Sequence, residues 1–214
     1  MIWSTLALGG RRTAMTDHLR DSAEPLRRSA AVTRRLHLGC GIETLGHGAK
    51  VLSGWTNIDI EGDGICTFAW DLTKPFPIPD HSIDYIYSEH FIEHISLADA
   101  LPLLAECLRV LMPGGVMRLS TPDLHVLVEK YLAGAIGEWR DMGWEPRTPC
   151  DLLNEGFRNW GHLYVYDEPK LVETLKRTGF ADVGRCRWGV SVHSPLQDLE
   201  TRPDHGDLIV EASG

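Results

Sequence analysis

The sequence lacks the marks of several protein classes. Its five cysteines are scattered and include no Cys-x-x-Cys pair, which argues against a disulfide framework and against a structural zinc site. No apolar run reaches the roughly 20 residues that a membrane-spanning helix needs. No internal repeat and no Asn-x-Ser/Thr site occur. These absences favour a reduced, cytoplasmic globular protein.

Positive charge is also scarce. The formal net charge is −9, from 21 basic and 30 acidic residues, so no nucleic-acid partner is expected. Residues 1–35 are the exception, because seven arginines stand there against three acids and leave about −13 for the remainder. Residues 1–33 lack apolar periodicity and are predicted to form a flexible basic arm. Met15 as the natural start and an organellar transit peptide remain alternatives, although the acids disfavour the latter.

Strand and helix patterns alternate through residues 34–214, which are predicted to form a single domain. This alternation predicts a mostly parallel α/β sheet of the Rossmann-like type with helices on both faces. Two late strands without a helix between them predict an antiparallel edge pair at the C-terminus. A stretch rich in Gly, Pro and Trp, about 134–160, is predicted to be a lid-like insertion. The predicted strands are 34–38, 55–60, 82–87, 116–120, and segments near 180–190 and 207–212; the predicted helices are 97–111, 123–133 and 167–178.

A Gly-x-Gly turn follows the first predicted strand, in Leu36-His-Leu-Gly-Cys-Gly41, and the second strand ends on Asp59. Glycines let a backbone approach a nucleoside, and a carboxylate after the next strand accepts hydrogen bonds from ribose hydroxyls. Alone, the turn is weak evidence, since it fits an ordinary tight turn equally well. A dinucleotide site needs a third glycine, and Thr44 stands at that position. NAD-dependent redox chemistry is therefore disfavoured.

Several further motifs follow in a fixed order. They are Gly-Trp-Thr-Asn-Ile-Asp59, Pro-Phe-Pro-Ile-Pro-Asp-His-Ser-Ile-Asp84, Glu89-His-Phe-Ile-Glu-His94, Arg109-Val-Leu-Met-Pro-Gly-Gly115 and Gly161-His-Leu-Tyr-Val-Tyr-Asp167. With this order and spacing, residues 34–213 resemble the class I S-adenosylmethionine-dependent methyltransferases. Within that class the chain is similar to small bacterial methyltransferases found near polysaccharide and secondary-metabolite genes.

The resemblance implies a cofactor, S-adenosylmethionine, and a role for each matching residue. The glycine turn would pass under the methionine part, Asp59 would hold the ribose, and Ile60 would pack on adenine. Asp71 and Leu72 would meet the adenine edge, and the end of the third predicted strand would lie beside the cofactor. The implied cofactor-binding residues are Gly39, Cys40, Gly41, Asp59, Ile60, Asp71, Leu72, Ser88 and Glu89.

Three histidines are candidate catalytic residues. His90 and His94 belong to a His-x-x-Glu-His sequence that formally matches a zinc-peptidase motif, but a third ligand is missing and no metal is expected. The resemblance instead places them at a cleft, although Glu93 and His94 could equally be a hydrogen-bonded pair at a helix start. His162 lies in an aromatic segment and suits a general base, with a histidine bonded to backbone in an ordinary turn as the alternative.

These features together predict methyl transfer from S-adenosylmethionine to an oxygen, with nitrogen as the second choice, of a small molecule or sugar. A non-catalytic cofactor-binding or partner module is the alternative, and a homodimer is left open.

Asp123 is interpreted as a helix cap or a substrate contact. Three tryptophans are expected to line the acceptor pocket or to form the core of the lid: Trp139, Trp144 and Trp160. A loop with Asp198, Glu200 and Arg202 is interpreted as a surface ion-pair loop.

Overall fold

The structure is a computed structural model that describes residues 11–41, 50–62, 67–137, 139–140, 143–202 and 205–214. The side chains of residues 11–21 and of Thr67 are not described. Thr44, on which the argument against a dinucleotide site depends, lies outside these ranges, and so does Cys66. None of the helices within the described ranges is both long and apolar enough to cross a membrane.

The described residues form seven strands and five helices. The strands are β1 Arg35–Leu38, β2 Thr56–Asp59, β3 Thr67–Ala69, β4 Ile83–Glu89, β5 Leu111–Thr121, β6 Asp182–Arg185 and β7 Leu208–Ser213. The helices are α1 Arg11–Thr33, α2 Leu97–Val110, α3 Leu124–Ala133, α4 Pro149–Arg158 and α5 Glu168–Arg177. Short 3-10 turns cover Ile92–His94, Asn159–Gly161 and Ser194–Leu196.

All seven strands pair in one sheet with the order β3-β2-β1-β4-β5-β7-β6. The five strands from β3 to β5 are parallel, whereas β7 is antiparallel to both of its neighbours. The predicted fold class is therefore confirmed, with β7 as the reversed strand of the C-terminal pair. Because β7 is reversed, its first residue lies at the edge of the sheet where the parallel strands end.

Helix α2 shows how local sequence sets an element. The hydroxyl of Ser96 accepts a hydrogen bond from the backbone N–H of Asp99 and caps the first turn. The helix ends at Val110, and the chain continues directly into β5, which begins at Leu111. Its buried residues are Ala100, Leu103, Leu104, Cys107 and Val110.

Three elements differ from the sequence-based prediction. Strand β3 was not predicted, because it is only three residues long and is polar at its start. Helix α4 lies inside the predicted insertion, where Thr148 caps it and Pro149 occupies its first turn. Strand β5 begins at Leu111 rather than at 116, and an irregular register in β4 opposite it accommodates the extra residues.

Helix α1 packs against the sheet. The side chains of Leu26 and Ala30 belong to the main core, and the Ser29 hydroxyl lies 2.8 Å from the Thr56 hydroxyl on β2. The prediction of a flexible arm over residues 1–33 is therefore wrong for residues 22–33. Sequence periodicity failed because α1 buries only a narrow stripe between arginines and carries Pro25.

The predicted insertion forms a small second core with α3. The rings of Trp139 and Trp144 stack with centroids 4.9 Å apart, and they pack with Leu127 and Leu152. Leu127 is the buried residue of α3, whereas its apolar residues Val128, Tyr131 and Leu132 are exposed. The boundaries of the lid, about 134–160, stay a prediction.

Substituting Leu26→Ala should lower the free energy of unfolding by about 2–4 kcal/mol, because it empties a fully buried site under the sheet. Val32→Ala is the matched control on the same helix, since Val32 is 84% exposed and its loss should cost less than about 0.5 kcal/mol. Urea denaturation measures both. Equal, small effects for the two variants would contradict the docking of α1.

Candidate functional site

The turn after β1 approaches neighbouring segments closely. Gly39 and Gly41 have φ values of +68° and +79°, which glycine adopts without strain. The backbone N–H groups of Gly39 and Cys40 both donate to the carbonyl of Ile58. A Cβ atom on Gly39 would lie 2.5 Å from the side chain of Phe91. Gly39 is thus required by the packing of the protein itself.

The carboxylate of Asp59 lies at the end of β2 and faces this turn. One oxygen accepts the N–H of Gly41 at 2.9 Å, and the other accepts the N–H of Ile60 at 2.7 Å. Burial raises the pKa of Asp59, against the lowering effect of these two donors. Each oxygen keeps a lone pair for a further donor, so the carboxylate is oriented and still able to bind hydroxyls.

The predicted adenine contacts follow β2 and β3. The N–H of Trp70 donates to the carbonyl of Asp59, which brings the two strand ends together. Asp71 uses one oxygen to accept the backbone N–H and the hydroxyl of Thr73, and thereby orders a turn. Leu72 is buried, and Ile60 is 47% exposed, which leaves an apolar side chain open to a ligand.

The predicted contacts at the end of β4 are engaged by the protein. The Ser88 hydroxyl donates to the carbonyl of Leu38 at 3.2 Å. Glu89 accepts hydrogen bonds from Lys50 and from both the N–H and the hydroxyl of Thr201. Burial would raise the pKa of Glu89, but these donors hold it below its usual value. Glu89 therefore anchors the loop before β7, a role that the sequence did not indicate.

His90 is a buried cation. Its Nε2 lies 2.8 Å from an oxygen of Asp207, and its Nδ1 lies 3.2 Å from Oε1 of Glu93. Burial would lower the pKa of His90, but the two carboxylates outweigh it and raise the pKa to about 9. This environment disfavours the prediction that His90 is a catalytic base, since a ring protonated on both nitrogens cannot accept a further proton.

The His-x-x-Glu-His sequence does not act as one ligand set. Its last residues lie on the 3-10 turn Ile92–His94. Its two histidines belong to different clusters: His90 lies near His205 and Asp207, whereas His94 lies near Glu93 and His162. Both groups have donor types that metals accept. Protonated His90, however, offers no lone pair, and it neutralises the Glu93 oxygen that faces the second group. We assign no metal to either.

His94 and His162 are neighbours with different surroundings. Their rings meet edge to face with centroids 5.0 Å apart. Burial lowers the pKa of His94, so its ring is neutral at pH 7. The Nδ1 of His162 lies 2.8 Å from the carbonyl oxygen of Gly156. Because a carbonyl only accepts, Nδ1 carries the proton, and Nε2 of His162 keeps its lone pair.

A small cleft lies between α3, α4 and the start of β7. The three tryptophans of the insertion all line it, and so do His162, His205 and Asp123. Asp123 also caps α3 through the N–H of His125, and Arg185 neutralises its other oxygen at 3.0 Å. The cap predicted for Asp123 is present, and its place in the cleft leaves a substrate contact open.

Sequence analysis did not identify three charged groups at this edge of the sheet. Asp207 accepts hydrogen bonds from His90 and, at 2.6 Å, from Nδ1 of His205. Glu200, interpreted as a surface residue, is buried and pairs with fully buried Arg118. The one signal for Asp207 is its position ahead of β7, since a reversed strand starts at the edge where the parallel strands end.

The buried charge on His90 predicts a pH dependence of stability. The folded protein keeps a proton on His90 up to about pH 9, whereas the unfolded chain releases it near 6.5. The free energy of unfolding should therefore fall by about 3 kcal/mol as the pH rises through this window. Urea denaturation at pH values across this window measures the change. The exposed variant His125→Gln is the control, and its free energy of unfolding should fall in the same way as that of the unsubstituted protein. The same fall in His90→Gln would contradict the assignment.

Comparisons with known proteins agree with this geometry. Residues 36–119 match a family model described as a methyltransferase domain. A Mycolicibacterium smegmatis protein named "Probable S-adenosylmethionine-dependent methyltransferase" is 47% identical over 136 residues, which cover 64% of this chain and 42% of that protein. A Mycobacterium tuberculosis protein with the same description is 30% identical over 137 residues, or 39% of its length. The chain thus spans about two fifths of these relatives.

Solved structures share the fold at low sequence identity. A methyltransferase of Archaeoglobus fulgidus described as S-adenosylmethionine-dependent superposes with a TM-score of 0.52 at 16% identity, covering 96% of this chain and 95% of that one. One from Thermotoga maritima gives 0.51 at 13% identity, with the same coverage. The family match, the relatives and the strand order confirm the resemblance drawn from the motifs. Over residues 36–119 the chain is thus similar to a methyltransferase domain, and it shares the fold of S-adenosylmethionine-dependent methyltransferases.

Proposed function

We propose that the protein transfers a methyl group from S-adenosylmethionine to a hydroxyl oxygen of an uncharged small molecule or sugar. The observation that carries this proposal is the tryptophan-lined cleft, into which His162 brings an unprotonated ring nitrogen. His94 lies between the two halves of the site. Its ring contacts His162, and when protonated it is near enough to Asp59 to lower the pKa of that carboxyl.

The residues that would hold the cofactor fit a nucleoside. Asp59 presents an oriented carboxylate with lone pairs to spare, and Ile60 presents an exposed apolar side chain. Gly39, Cys40 and Gly41 offer a backbone without bulky exposed side chains, and Asp71 with Leu72 follows the adjacent strand. Ser88 and Glu89 are proposed to shape the floor through their protein contacts. S-adenosylmethionine supplies an activated methyl group there, so the protein has to align the acceptor and exclude water.

The cleft fits an uncharged ring better than an ion. The exposed ring of Trp160 can pack against a sugar or aromatic ring, and the charge of Asp123 is already neutralised by Arg185. A hydroxyl must lose its proton as the oxygen is methylated, and an imidazole with a free Nε2 accepts a hydrogen bond from it. A nitrogen acceptor is the second candidate. The insertion, about 134–160, is proposed to be the lid over this cleft, since its tryptophans line it.

The three candidate histidines then have different roles. His162 contacts a hydroxyl of the acceptor molecule through its Nε2 atom. His94 is neutral and packs against His162 and fixes its ring. His90 is a positioning residue that acts through Glu93 and Asp207. Cys107, Cys150 and Cys186 are free thiols, which supports the further proposal of a cytoplasmic, reducing location.

Asp59→Ala should weaken binding of S-adenosylhomocysteine by about 10- to 100-fold, because it removes charge-assisted hydrogen bonds to the ribose. Isothermal titration calorimetry measures this. Glu61→Gln removes a neighbouring exposed carboxylate and should leave the affinity unchanged. Binding of NAD in place of S-adenosylhomocysteine would contradict the proposal.

His162→Ala should reduce turnover by at least about 10-fold while leaving S-adenosylhomocysteine affinity unchanged, since the residue contacts the acceptor alone. The assay follows formation of S-adenosylhomocysteine with a panel of hydroxylated acceptors: methyl glucoside, methyl rhamnoside, catechol and 4-nitrophenol. Exposed His125→Ala serves as the control. Full turnover in His162→Ala would remove His162 from the acceptor site.

A further inference from the structure

Four charged or titratable side chains form a continuous chain at the edge of the cleft. Glu93 lies 3.2 Å from His90, His90 lies 2.8 Å from Asp207, and Asp207 lies 2.6 Å from Nδ1 of His205. The first three are almost completely buried, with side-chain exposures of 0%, 7% and 2%. His205 is 20% exposed and lines the cleft. The chain therefore links the interior to the proposed acceptor site.

The buried part of this chain has an unbalanced charge. Two carboxylates flank one imidazolium, which gives a net charge of −1. Burial opposes ionisation of both acids, yet the two histidines hold the pKa of Asp207 at about 2, and those facing Glu93 lower its pKa as well. A positive charge on the neighbouring histidine would bring the cluster to neutrality.

The orientation of His205 suits proton acceptance. Its Nδ1 donates to the carboxylate of Asp207, so Nε2 carries the lone pair in the neutral ring. A carboxylate on the far nitrogen fixes the tautomer and stabilises the imidazolium that forms. His162 has the same tautomer, but the group behind its Nδ1 is the uncharged carbonyl of Gly156. Of the two cleft histidines, His205 is the better proton acceptor.

We propose that His205, oriented by Asp207, is a catalytic residue that takes the proton of the hydroxyl that is methylated, while His162 accepts a hydrogen bond from a second hydroxyl of the acceptor. This inference rests on the proposed methyl transfer to oxygen. The acceptor oxygen forms a bond to the methyl carbon, the carbon–sulfur bond of the cofactor breaks with its electrons on sulfur, and the hydroxyl proton moves to Nε2 of His205. The positive charge of the sulfonium is thereby replaced by that of an imidazolium beside the acidic cluster.

Kinetics with the best acceptor of the panel test the assignment. His205→Gln should reduce kcat by about 100-fold or more, the range expected for loss of a general base, with S-adenosylhomocysteine affinity unchanged. His205→Ala should regain activity when imidazole is added, and His125→Ala should show no imidazole effect. A His205→Gln variant with full kcat, or a His205→Ala variant that imidazole does not rescue, would overturn the proposal.

The pH dependence of activity distinguishes a catalytic role of His205 from a purely structural one. The charged groups facing His205 are Asp207 and, behind it, His90, whose ring centroid lies 5.1 Å away; Asp123 and His162 line the same cleft. Activity should rise with pH as His205 loses its proton. Asp207→Asn weakens the stabilised imidazolium, so the acid limb should move to lower pH while kcat falls. An acid limb that stays in place in a folded Asp207→Asn variant would contradict the assigned role.

A measurement that needs no acceptor keeps this inference separable from the proposed function. In long-range ¹H–¹⁵N NMR spectra of the full chain with S-adenosylhomocysteine, neutral His205 should be protonated on Nδ1, and its pKa should fall in Asp207→Asn. Protonation of neutral His205 on Nε2 would overturn the inference. Failure to bind S-adenosylhomocysteine would instead remove the proposed function.

Discussion

The imidazolium of His90 holds the site together. An unpaired buried charge costs several kcal/mol, and here two carboxylates from different parts of the chain compensate it. Glu93 lies on the next turn, whereas Asp207 lies at the start of the last strand. His90 also has φ +50°, a left-handed conformation that is strained for a residue with a Cβ atom. Its two ion pairs hold the backbone there.

The loop before β7 has to be held firmly for Asp207 to reach His90. Two buried ionic networks do this. Glu89 binds Lys50 and both polar groups of Thr201, and Arg118 pairs with Glu200 and Glu211 while donating to carbonyls of the loop after β6. Removing one partner of such a pair leaves an unpaired buried charge, so these contacts fix geometry even where their net free energy is small.

The order of elements and the nucleoside half of the site could be predicted from the sequence, because both depend on local patterns. Strand β1 with its glycine turn, and Asp59 after β2, were each readable from a few adjacent residues. The acceptor half depends on contacts across long separations. His90 resembled a neutral base until Asp207, 117 residues later, was placed beside it. Glu200 resembled a surface acid because its partner, Arg118, lies on another strand.

The same distinction explains the remaining errors. In the described part of helix α1, residues 22–33, only Leu26 and Ala30 are buried, so no period shows, and packing on β2 rather than intrinsic pattern holds it. Strand β3 is stabilised by pairing with β2. A three-residue segment is too short for its own sequence to predict this pairing. Helix α4 is signalled by Thr148 and Pro149, a capping pattern that the abundance of Gly, Pro and Trp around it obscured.

The reversed direction of β7 has a consequence for how the protein is made. Residues 36–119, the part that the methyltransferase family model matches, contain His90 and Glu93 but neither Asp207 nor His205. A growing chain that has passed residue 119 therefore carries a histidine whose second countercharge has not yet been synthesised. The nucleoside half can assemble early during translation, whereas the acceptor half is complete only when the last strand leaves the ribosome and enters the sheet.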